Sequence, residues 1–523
     1  MAYTLEEGAK RQQTFTPFII FMLLILGTGS ISYGYTAAII GTTLAPGQPS
    51  FIAYFGLATR SNASALIGSM NGVFQAGGVI GTLLLPLIAD RYGRKIACIV
   101  PSIIIIISQA LLAGSVNLAM FIVFRLFAGF GCYATAAIVP IMMSEIVPPR
   151  FRGACVDVMG VGLNIGYAAS GWLGYGFSFW DGEGSANAWR VPLAIGVFFP
   201  LLFLAGMPFL PESPRWLCMK GREQEAEEAL KRLHRHSSDP AGDLARAEFF
   251  QIREQIELDS QLDNSWYRLF SKPSYRKRAG LAMLTMFTTQ TSGVLLITNY
   301  APLIFSTLGL DAHGQLLILA LLVTIGIVEN ALAMLLVDRF PRPKYMAVGM
   351  LGCVAAFAAE AGLVAQYAGT NNSNALRAGI AMMFVFGVFY SFAVDGPQFC
   401  YITEIFPTHL RAKGVSLGIA TFSLTNIVWL QAAPTAFADI GWKFYLCLVV
   451  PSFFLALVMW FFYPDTRGKP LEEIAAIFGD DDEVAVRQAD VEIDTATHEI
   501  HAKGARVGVE IEDSSVGTYA GEK

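Results

Sequence analysis

Apolar runs of about 20 residues recur along almost the whole chain, and short polar segments separate them. A helix of that length crosses the roughly 30 Å hydrocarbon layer of a bilayer, because each residue adds about 1.5 Å. The pattern therefore predicts two groups of six membrane-spanning helices. The predicted spans are 17–44, 66–89, 96–116, 118–145, 153–177, 191–210, 280–307, 314–337, 345–368, 376–402, 413–437 and 442–463.

Charged segments divide the chain further. The segment between the two groups of spans carries amphipathic helical patterns around 223–233 and 244–258, typical of a surface domain. The tail is acidic, and we expect it to lack ordered structure beyond about Asp480. The predicted domains are an N-terminal segment (1–16), a six-helix bundle (17–210), a helical linker (211–279), a second six-helix bundle (280–463) and the tail (464–523).

Composition supports an all-α membrane protein. Hydrophobic residues make up 54% and charged residues 15% of the chain, whereas soluble proteins carry about 25% charged residues. The net charge of -5 says little about partners, because acidic residues gather in the tail and the central segment while short loops stay basic. We expect no nucleic-acid partner. The cysteines have no paired spacing and the histidines fall in loops or tails, so we expect no metal and no cofactor. No phosphate-binding loop or nucleophile–base set is present, which argues against an enzyme.

Positive charges orient the predicted helices. Arg and Lys cluster in alternate short loops, and such loops face the cytoplasm in membrane proteins. Both termini are therefore expected in the cytoplasm. Two glycosylation sequons, at Asn62 and Asn371, fall in loops that this topology places outside. The sequons and the lack of an organelle signal favour a multi-pass protein of the plasma membrane.

A motif of eight residues occurs twice. Glu145 begins Glu-Ile-Val-Pro-Pro-Arg-Phe-Arg, and Glu404 begins Glu-Ile-Phe-Pro-Thr-His-Leu-Arg. Two more pairs repeat in the same order, about 250 residues apart, which predicts two structurally equivalent halves. These pairs are 90–94 with 338–342 and 211–213 with 464–466.

Together with the continuations Pro214-Arg215-Trp216-Leu217 and Arg467-Gly468-Lys469, these motifs resemble those of the sugar porter family of the major facilitator superfamily. The resemblance covers about residues 15–478. It implies a major facilitator fold of 12 helices in two bundles around a cavity that opens alternately to either side. It further implies a sugar or polyol as solute, a lipid bilayer as surroundings, and function as a monomer.

The repeated charges are expected to form a gate. They lie at the cytoplasmic ends of helices, where carboxylate and guanidinium groups can join the two bundles by bidentate hydrogen bonds. The candidate cytoplasmic gate residues are Asp90, Arg91, Arg94, Glu145, Arg152, Asp338, Arg339, Glu404 and Arg411.

The solute site implied by the resemblance departs from the family pattern. Gln290 and Asn426 match family amides, but the family's sugar-binding Gln on the fifth helix falls at Gly160. Gln290 and Asn299 face the same cavity only if the seventh helix unwinds near Gly293. The candidate substrate-binding residues are Gln290, Asn299, Asn426, Asn164 and Phe399.

Coupling to protons is the remaining question. Proton-linked members of the family carry an Asp on the first helix against an Arg on the fourth, whereas this chain has Thr36 and Arg125. A threonine exchanges no proton at physiological pH, so facilitated diffusion is the leading prediction. Glu329, the foremost of three acids identified inside apolar spans, with Glu360 and Asp395, is the alternative carrier for a proton symporter. A transporter-like nutrient receptor is the second alternative.

Overall fold

The structure is a computed structural model that describes residues 2–5, 7, 17–43, 49–147, 152–180, 185–234, 242–307, 310–367, 373–494 and 500–502. Ten of its helical segments are long and apolar enough to span a membrane, and a bent pair in the seventh position adds an eleventh. The helix in the fifth position is as long but contains many glycines and polar residues, and it completes the predicted series of 12.

The spans have the following bounds: span 1 Pro17–Thr43, span 2 Ala63–Tyr92, span 3 Arg94–Ala113, span 4 Leu118–Ile146, span 5 Arg152–Phe177, span 6 Arg190–Ile195 with Phe198–Gly206, span 7 Pro273–Thr291 with Val294–Thr307, span 8 Ala312–Ala333, span 9 Arg342–Tyr367, span 10 Ser373–Ala393 with Pro397–Glu404, span 11 Arg411–Ile440 and span 12 Lys443–Phe462. A short helix, Pro49–Tyr54, and 3-10 turns at Leu57–Thr59, Ser185–Asn187 and Met207–Phe209 lie beside them.

The two halves meet through equivalent helices. Span 2 packs along span 11, and span 5 packs along span 8. The second helix of each half thus contacts the fifth helix of the other half, which is the arrangement expected of a duplicated fold. Within the first half, spans 1 and 5 and spans 2 and 4 are the closest pairs.

Glycines set the short distance between neighbouring spans. A Cβ atom added to Gly77 would overlap the Leu126 carbonyl oxygen, and one added to Gly129 would overlap the Phe74 carbonyl oxygen. Spans 2 and 4 therefore touch backbone to backbone. Such contact suits a membrane protein, because lipid tails supply no hydrophobic force that drives helices together.

Spans 7 and 10 are broken at the level of the central cavity. Span 7 bends by 41° between Thr291 and Val294, where Gly293 adopts a φ of 91°. Span 10 is interrupted between Ala393 and Pro397, a residue that has no N–H to continue the helical ladder. Broken helices within membranes place polar groups where they line a cavity.

The linker and the tail pack on each other. The linker forms helices Pro214–Met219, Glu223–Leu233, Asp243–Ser260 and Trp266–Ser271, and the tail forms Leu471–Glu473, Ile474–Ile477, Asp481–Glu483 and Gln488–Asp490. Strand β1 (Ala2–Thr4) pairs antiparallel with β2 (Val491–Asp494), with Tyr3 opposite Ile493, and β2 pairs antiparallel with β3 (Ile500–Ala502).

The expectation that order ends at Asp480 is therefore wrong for residues 481–494. The Lys272 ammonium lies 2.7 Å from Asp480 Oδ1 and 2.5 Å from Glu483 Oε1. Gln255 Nε2 donates to the Glu483 carbonyl oxygen at 2.8 Å. Acidic composition predicts disorder only when the charges find no partners, and here the linker supplies them.

We expect Gly129→Ala to lower the midpoint of thermal unfolding, because the added methyl group meets the Phe74 backbone, which cannot turn aside. Overpacking of this kind costs about 1–3 kcal/mol. The measurement is thermal unfolding of purified protein in detergent. Gly362→Ala in span 9 is the matched control, since no heavy atom lies within 4 Å of its added Cβ. Equal midpoints for the two variants would contradict the close contact of spans 2 and 4.

Candidate functional site

The first copy of the repeated motif forms a buried ion pair. Arg94 Nε donates to Glu145 Oε2 and Arg94 Nη2 donates to Glu145 Oε1, both at 3.0 Å. Ser213 Oγ donates to Glu145 Oε2 at 2.5 Å. Both charged side chains have no exposed surface. The bidentate geometry and the added hydroxyl satisfy a carboxylate that water does not reach.

The second copy repeats this geometry in the other half. Arg342 forms an ion pair with Glu404 and also donates to Asp338 Oδ1 at 3.0 Å. Thr466 Oγ1 donates to Glu404 Oε2 at 2.7 Å, as Ser213 does to Glu145. The sequence repeat is thus a repeat of structure. We use the name motif network for the charged residues that form these ion pairs and the contacts described next. They are Asp90, Arg94, Glu145, Asp338, Arg342, Glu404, Arg411 and Lys413.

Three contacts of the motif network cross between the halves. Arg411 Nη1 donates to Glu145 Oε1 at 3.3 Å, and the Lys413 ammonium lies 3.2 Å from Asp90 Oδ2. The backbone N–H of Ala154 donates to Asp338 Oδ2 at 2.8 Å. Glu145 therefore accepts an arginine from each half, and the bundle is closed at this end.

The start of the linker fastens the same network. Arg215 Nη1 donates to the Glu145 carbonyl oxygen at 2.6 Å, and its Nη2 lies 2.8 Å from Glu472 of the tail. Glu212 accepts the backbone N–H of Arg94 at 2.9 Å. Burial raises the pKa of Glu212, although the hydrogen bonds that it accepts from backbone N–H groups favour its charged form. Linker and tail thus both contact the closed end.

Not every predicted gate residue joins the network. The Arg91 side chain is exposed and lies against the Tyr92 ring. Arg339 is also exposed, and its carbonyl oxygen accepts from Arg467 Nη1 at 2.7 Å. The side chain of Arg152 lies outside the described part of the structure. Of the sequons, Asn62 is exposed beside the start of span 2, and Asn371 lies outside the described residues.

A central cavity with an empty volume of about 670 Å³ lies between the halves. Most lining residues are aliphatic or aromatic, and no Lys, Arg or His is among those described. The lining comprises Tyr33, Leu163, Asn164, Tyr167, Gln290, Val294, Leu295, Ile297, Thr298, Leu322, Val323, Met383, Phe386, Gly387, Tyr390, Ser391, Asp395, Gln398, Phe399 and Phe422.

Three of the five predicted binding residues line this cavity, namely Asn164, Gln290 and Phe399. Asn426 stands behind the lining, where its Nδ2 donates to Gln290 Oε1 at 3.3 Å. Asn299 does not reach the cavity even though span 7 breaks at Gly293, and its Nδ2 donates to the Leu295 carbonyl oxygen at 3.0 Å. The helical turn after the break presents the neighbouring Thr298 instead.

The predicted coupling position on span 1 holds no acid. Thr36 Oγ1 accepts from Gln109 Nε2 at 3.1 Å. Arg125 Nη1 donates to the Thr36 carbonyl oxygen at 3.4 Å, and its guanidinium lies 4.1 Å from the centre of the Phe74 ring. Among the described residues, Arg125 Nε and Nη2 have no hydrogen-bond partner. The Gln109 amide and the Phe74 ring thus lie around Thr36 and Arg125, where proton-linked members of the resembled family carry an acid.

A polar cluster instead joins spans 5, 8 and 10. Asn164 Nδ2 donates to Asp395 Oδ2 at 2.8 Å, and Asn330 Nδ2 donates to the same oxygen at 3.4 Å. Asn330 occupies the space opposite Gly160, where a Cβ atom would lie 2.5 Å from Asn330 Oδ1. The residue that replaces the family's glutamine thus makes room for an amide of the other half. Asp157, one turn before Gly160, is fully buried beside this cluster.

The motif and spacing arguments did not single out Asp157. The available signal was simple, since it is an acid inside the predicted fifth span. Glu329, the predicted alternative proton carrier, is partly exposed, contacts the Ser391 hydroxyl and is not part of the cavity lining. Gln398 is a further lining residue that sequence motifs did not indicate, and its Oε1 has no partner in the described structure.

Comparison with known proteins agrees with this architecture. The family model described as "Sugar (and other) transporter" matches residues 22–478. The chain is 31% identical over 459 residues to MFS-type transporter criB of Aspergillus cristatus, covering 87% of this chain and 92% of that protein. It is 28% identical over 439 residues to the high-affinity glucose transporter of Kluyveromyces lactis, covering 80% and 79%.

Solved structures share the fold. The proton:xylose symporter XylE bound to 6-bromo-6-deoxy-D-glucose superimposes with a TM-score of 0.76 at 22% identity, covering 88% of this chain and 99% of that chain. The inward open conformation of XylE from E. coli matches with a TM-score of 0.67 at 21% identity, covering 88% and 99%. The protein is a multi-pass membrane transporter, not an enzyme. It belongs to the sugar transporter family of the major facilitator superfamily.

We expect Arg411→Ala to open the end of the bundle that the motif network closes. Removing one partner of a buried pair costs about 3–5 kcal/mol, and Glu145 regains water when the halves separate. Spin labels at Tyr92→Cys and Phe340→Cys, exposed equivalent positions of the two halves, report the separation. Cys447 is exposed and is replaced by serine in this background.

Pulsed electron paramagnetic resonance should show a longer distance between the labels in the Arg411→Ala variant. Arg222→Ala is the control, because it removes the exposed Arg222–Glu225 pair of the linker, and exposed pairs contribute about 0–1 kcal/mol. An unchanged distance distribution in folded Arg411→Ala protein would refute the role of this contact as a lock.

Proposed function

We propose that the protein carries a small, neutral polyhydroxy solute, most simply a monosaccharide, across the membrane by alternating access. The observation that carries the proposal is the central cavity, which both halves line and which the motif network closes at one end. Separation of the halves at that end would connect the cavity with the other side of the membrane.

The chemistry of the cavity supports a neutral solute. Asp395 is an acid of the described lining, and no basic side chain lies among the described lining residues to bind an anion. Tyr33, Tyr390 and Phe399 offer flat faces on which the apolar face of a sugar ring packs. Gln290 lies beside the break in span 7 and Gln398 beside the break in span 10. Their amide groups can form hydrogen bonds with hydroxyl groups of the solute.

Relatives with stated solutes support the same class. The Kluyveromyces lactis protein is a glucose transporter and XylE is a xylose symporter, so monosaccharides are the first solutes to test.

The protein is proposed to work as a monomer in the plasma membrane, with both termini and the motif network in the cytoplasm. Arg and Lys concentrate at the end of the bundle that carries the network, in agreement with the positive-inside rule. Asn62 is exposed at the opposite end of span 2 from Asp90. The linker and tail would then lie together on the cytoplasmic surface.

Facilitated diffusion follows if the site on span 1 is the only place for a proton, because Thr36 cannot carry one. A second candidate is proton-coupled symport, and a specific observation favours it. The described spans contain buried acids whose oxygens accept no hydrogen bond from the described residues, among them Asp157 beside the cavity and Glu360 within span 9. Buried acids in membranes commonly mark proton pathways.

Uptake into proteoliposomes tests the proposed function. Labelled D-glucose, D-xylose, a disaccharide, a polyol and a cyclic acid are compared, each with and without a pH gradient. We expect a neutral monosaccharide to enter fastest and the anionic cyclic acid slowest, because Asp395 repels a carboxylate. Faster uptake of the anion than of every neutral solute would overturn the proposal.

We expect Gln398→Leu to raise the KM for the transported monosaccharide by about fivefold to tenfold. The substitution removes a buried carbonyl oxygen that no described group occupies and that a hydroxyl group can reach. Gln315→Leu is the matched control, because Gln315 is equally buried in span 8 but outside the cavity lining. A rise in KM of the same size in both variants would show that Gln398 does not contact the solute.

A further inference from the structure

We propose that Asp157 and Asp395 form a proton-binding site that couples solute transport to the proton gradient, in place of the absent acid on span 1. The proposal rests on the proposed function and decides between its two modes of transport. The site lies where span 5 of the first half meets spans 8 and 10 of the second half.

Asp157 is a buried acid to which no described residue donates a hydrogen bond. Its side chain has no exposed surface, and both carboxylate oxygens lack a partner among the described residues. A carboxylate in such a place costs several kcal/mol unless it is paired, whereas a protonated acid does not. The surroundings therefore favour a proton on Asp157 when the motif network is closed.

No described backbone N–H group beside Asp157 donates a hydrogen bond to its carboxyl group. A Cβ atom added to Gly396 would overlap Asp157 Oδ1, so the carboxyl group lies against the break in span 10. The helix that begins there has Pro397 without an N–H, and the next amides are already used. Gln398 N donates to the Val394 carbonyl oxygen, and Phe399 N donates to the Gly396 carbonyl oxygen, both at 3.1 Å.

Asp395 is the contrasting member of the pair. Two amide groups, of Asn164 and Asn330, donate to its Oδ2, and donors of this kind favour the charged form of a carboxylate. Two nearby carboxylates in a site of low dielectric do not both ionise. The hydrogen bonds thus assign the negative charge to Asp395 and the proton to Asp157.

The other charged groups around Asp157 do not replace the proton. Asp338 and Arg342 are close enough to interact with it, but Arg342 is already paired with Asp338 and Glu404. Among the described residues, the other titratable groups that interact with the pair are the hydroxyls of Tyr345 near Asp157 and of Tyr167 and Tyr390 near Asp395. Glu329 is turned toward Ser391 on span 10.

The position of the pair explains how proton binding and gating are linked. Asp395 lines the cavity and accepts from Asn164, which also lines it. Asp157 lies seven residues before Asn164 on span 5, about 10 Å toward the motif network. One turn further, the backbone N–H of Ala154 donates to Asp338 Oδ2. A proton that enters through the cavity is kept while the network is closed, and it leaves Asp157 when the halves separate and water enters.

The primary test needs no transported solute. The distance between spin labels at Tyr92→Cys and Phe340→Cys, in the Cys447→Ser background, is measured from pH 5 to pH 9 in sodium-free buffer. We expect the long-distance population to grow as the pH rises, because loss of the proton leaves a buried charge that is stabilised by opening. Asp157→Asn mimics the protonated acid, so its distribution should stay closed and independent of pH.

Glu360→Gln is the matched control. Glu360 is also fully buried and unpartnered in the described structure, but it lies in span 9 and faces Tyr445 of span 12 within the same half. This variant should keep the pH dependence of the wild type. A distribution that does not respond to pH in the wild type, or responds equally in the Asp157→Asn variant, would overturn the proposal.

The flux test uses labelled D-glucose and D-xylose in proteoliposomes with an acidic exterior. A pH difference of about one unit should drive about tenfold accumulation at one proton per solute in the wild type. Asp157→Asn should lose accumulation but keep a measurable exchange of label, because bound solute still opens the form that stays closed when empty. If the wild type exchanges labelled sugar but does not accumulate it, the proposed proton coupling is wrong and the transport function stands. A pH-dependent distance change without flux of any solute in the panel sinks the transport function instead.

Discussion

A charge that is buried must be paired, and the closed state of this transporter depends on that constraint. Glu145 has no exposed surface and accepts hydrogen bonds from Arg94 in its own half and from Arg411 in the other half. Neither pair would be stable in isolation at such depth, because the cost of removing both ions from water rivals their attraction. The arrangement of Glu145 with Arg94 and Arg411 is therefore favourable only when all three side chains are present. Such an arrangement is suited to hold the halves together and to release them in one step.

The duplication supplies this lock with two copies that differ in use. Glu404 receives Arg342 and a threonine hydroxyl from its own half, just as Glu145 receives Arg94 and a serine hydroxyl. Glu145 additionally receives an arginine from across the interface. Both copies therefore join the halves, the second through the backbone of Ala154 and Asp338, but only Glu145 does so by a carboxylate–arginine pair.

Sequence reasoning reached the fold because apolar length and the repeated motifs are local properties of the chain. It also named several members of the motif network, since charged residues at helix ends are readable from spacing, but it did not name Arg342 or Lys413. It could not decide which amides reach the cavity. Asn299 depends on the rotation of a helix after a break, and Asp157 depends on whether donors from other spans surround it. The prediction of a disordered tail was wrong for a similar reason. The partners of the tail, Lys272 and Gln255 of the linker, lie about 200 residues away in sequence.

Transport by this protein requires that the solute crosses through a cavity that opens to one side at a time. Counterflow measures this directly. Proteoliposomes are loaded with unlabelled D-glucose or D-xylose and diluted into a trace of the labelled sugar, with no pH gradient. A carrier with alternating access predicts a transient accumulation of label above its equilibrium level, followed by decay. A monotonic approach to equilibrium for every sugar that enters would contradict the claim and indicate an open pathway.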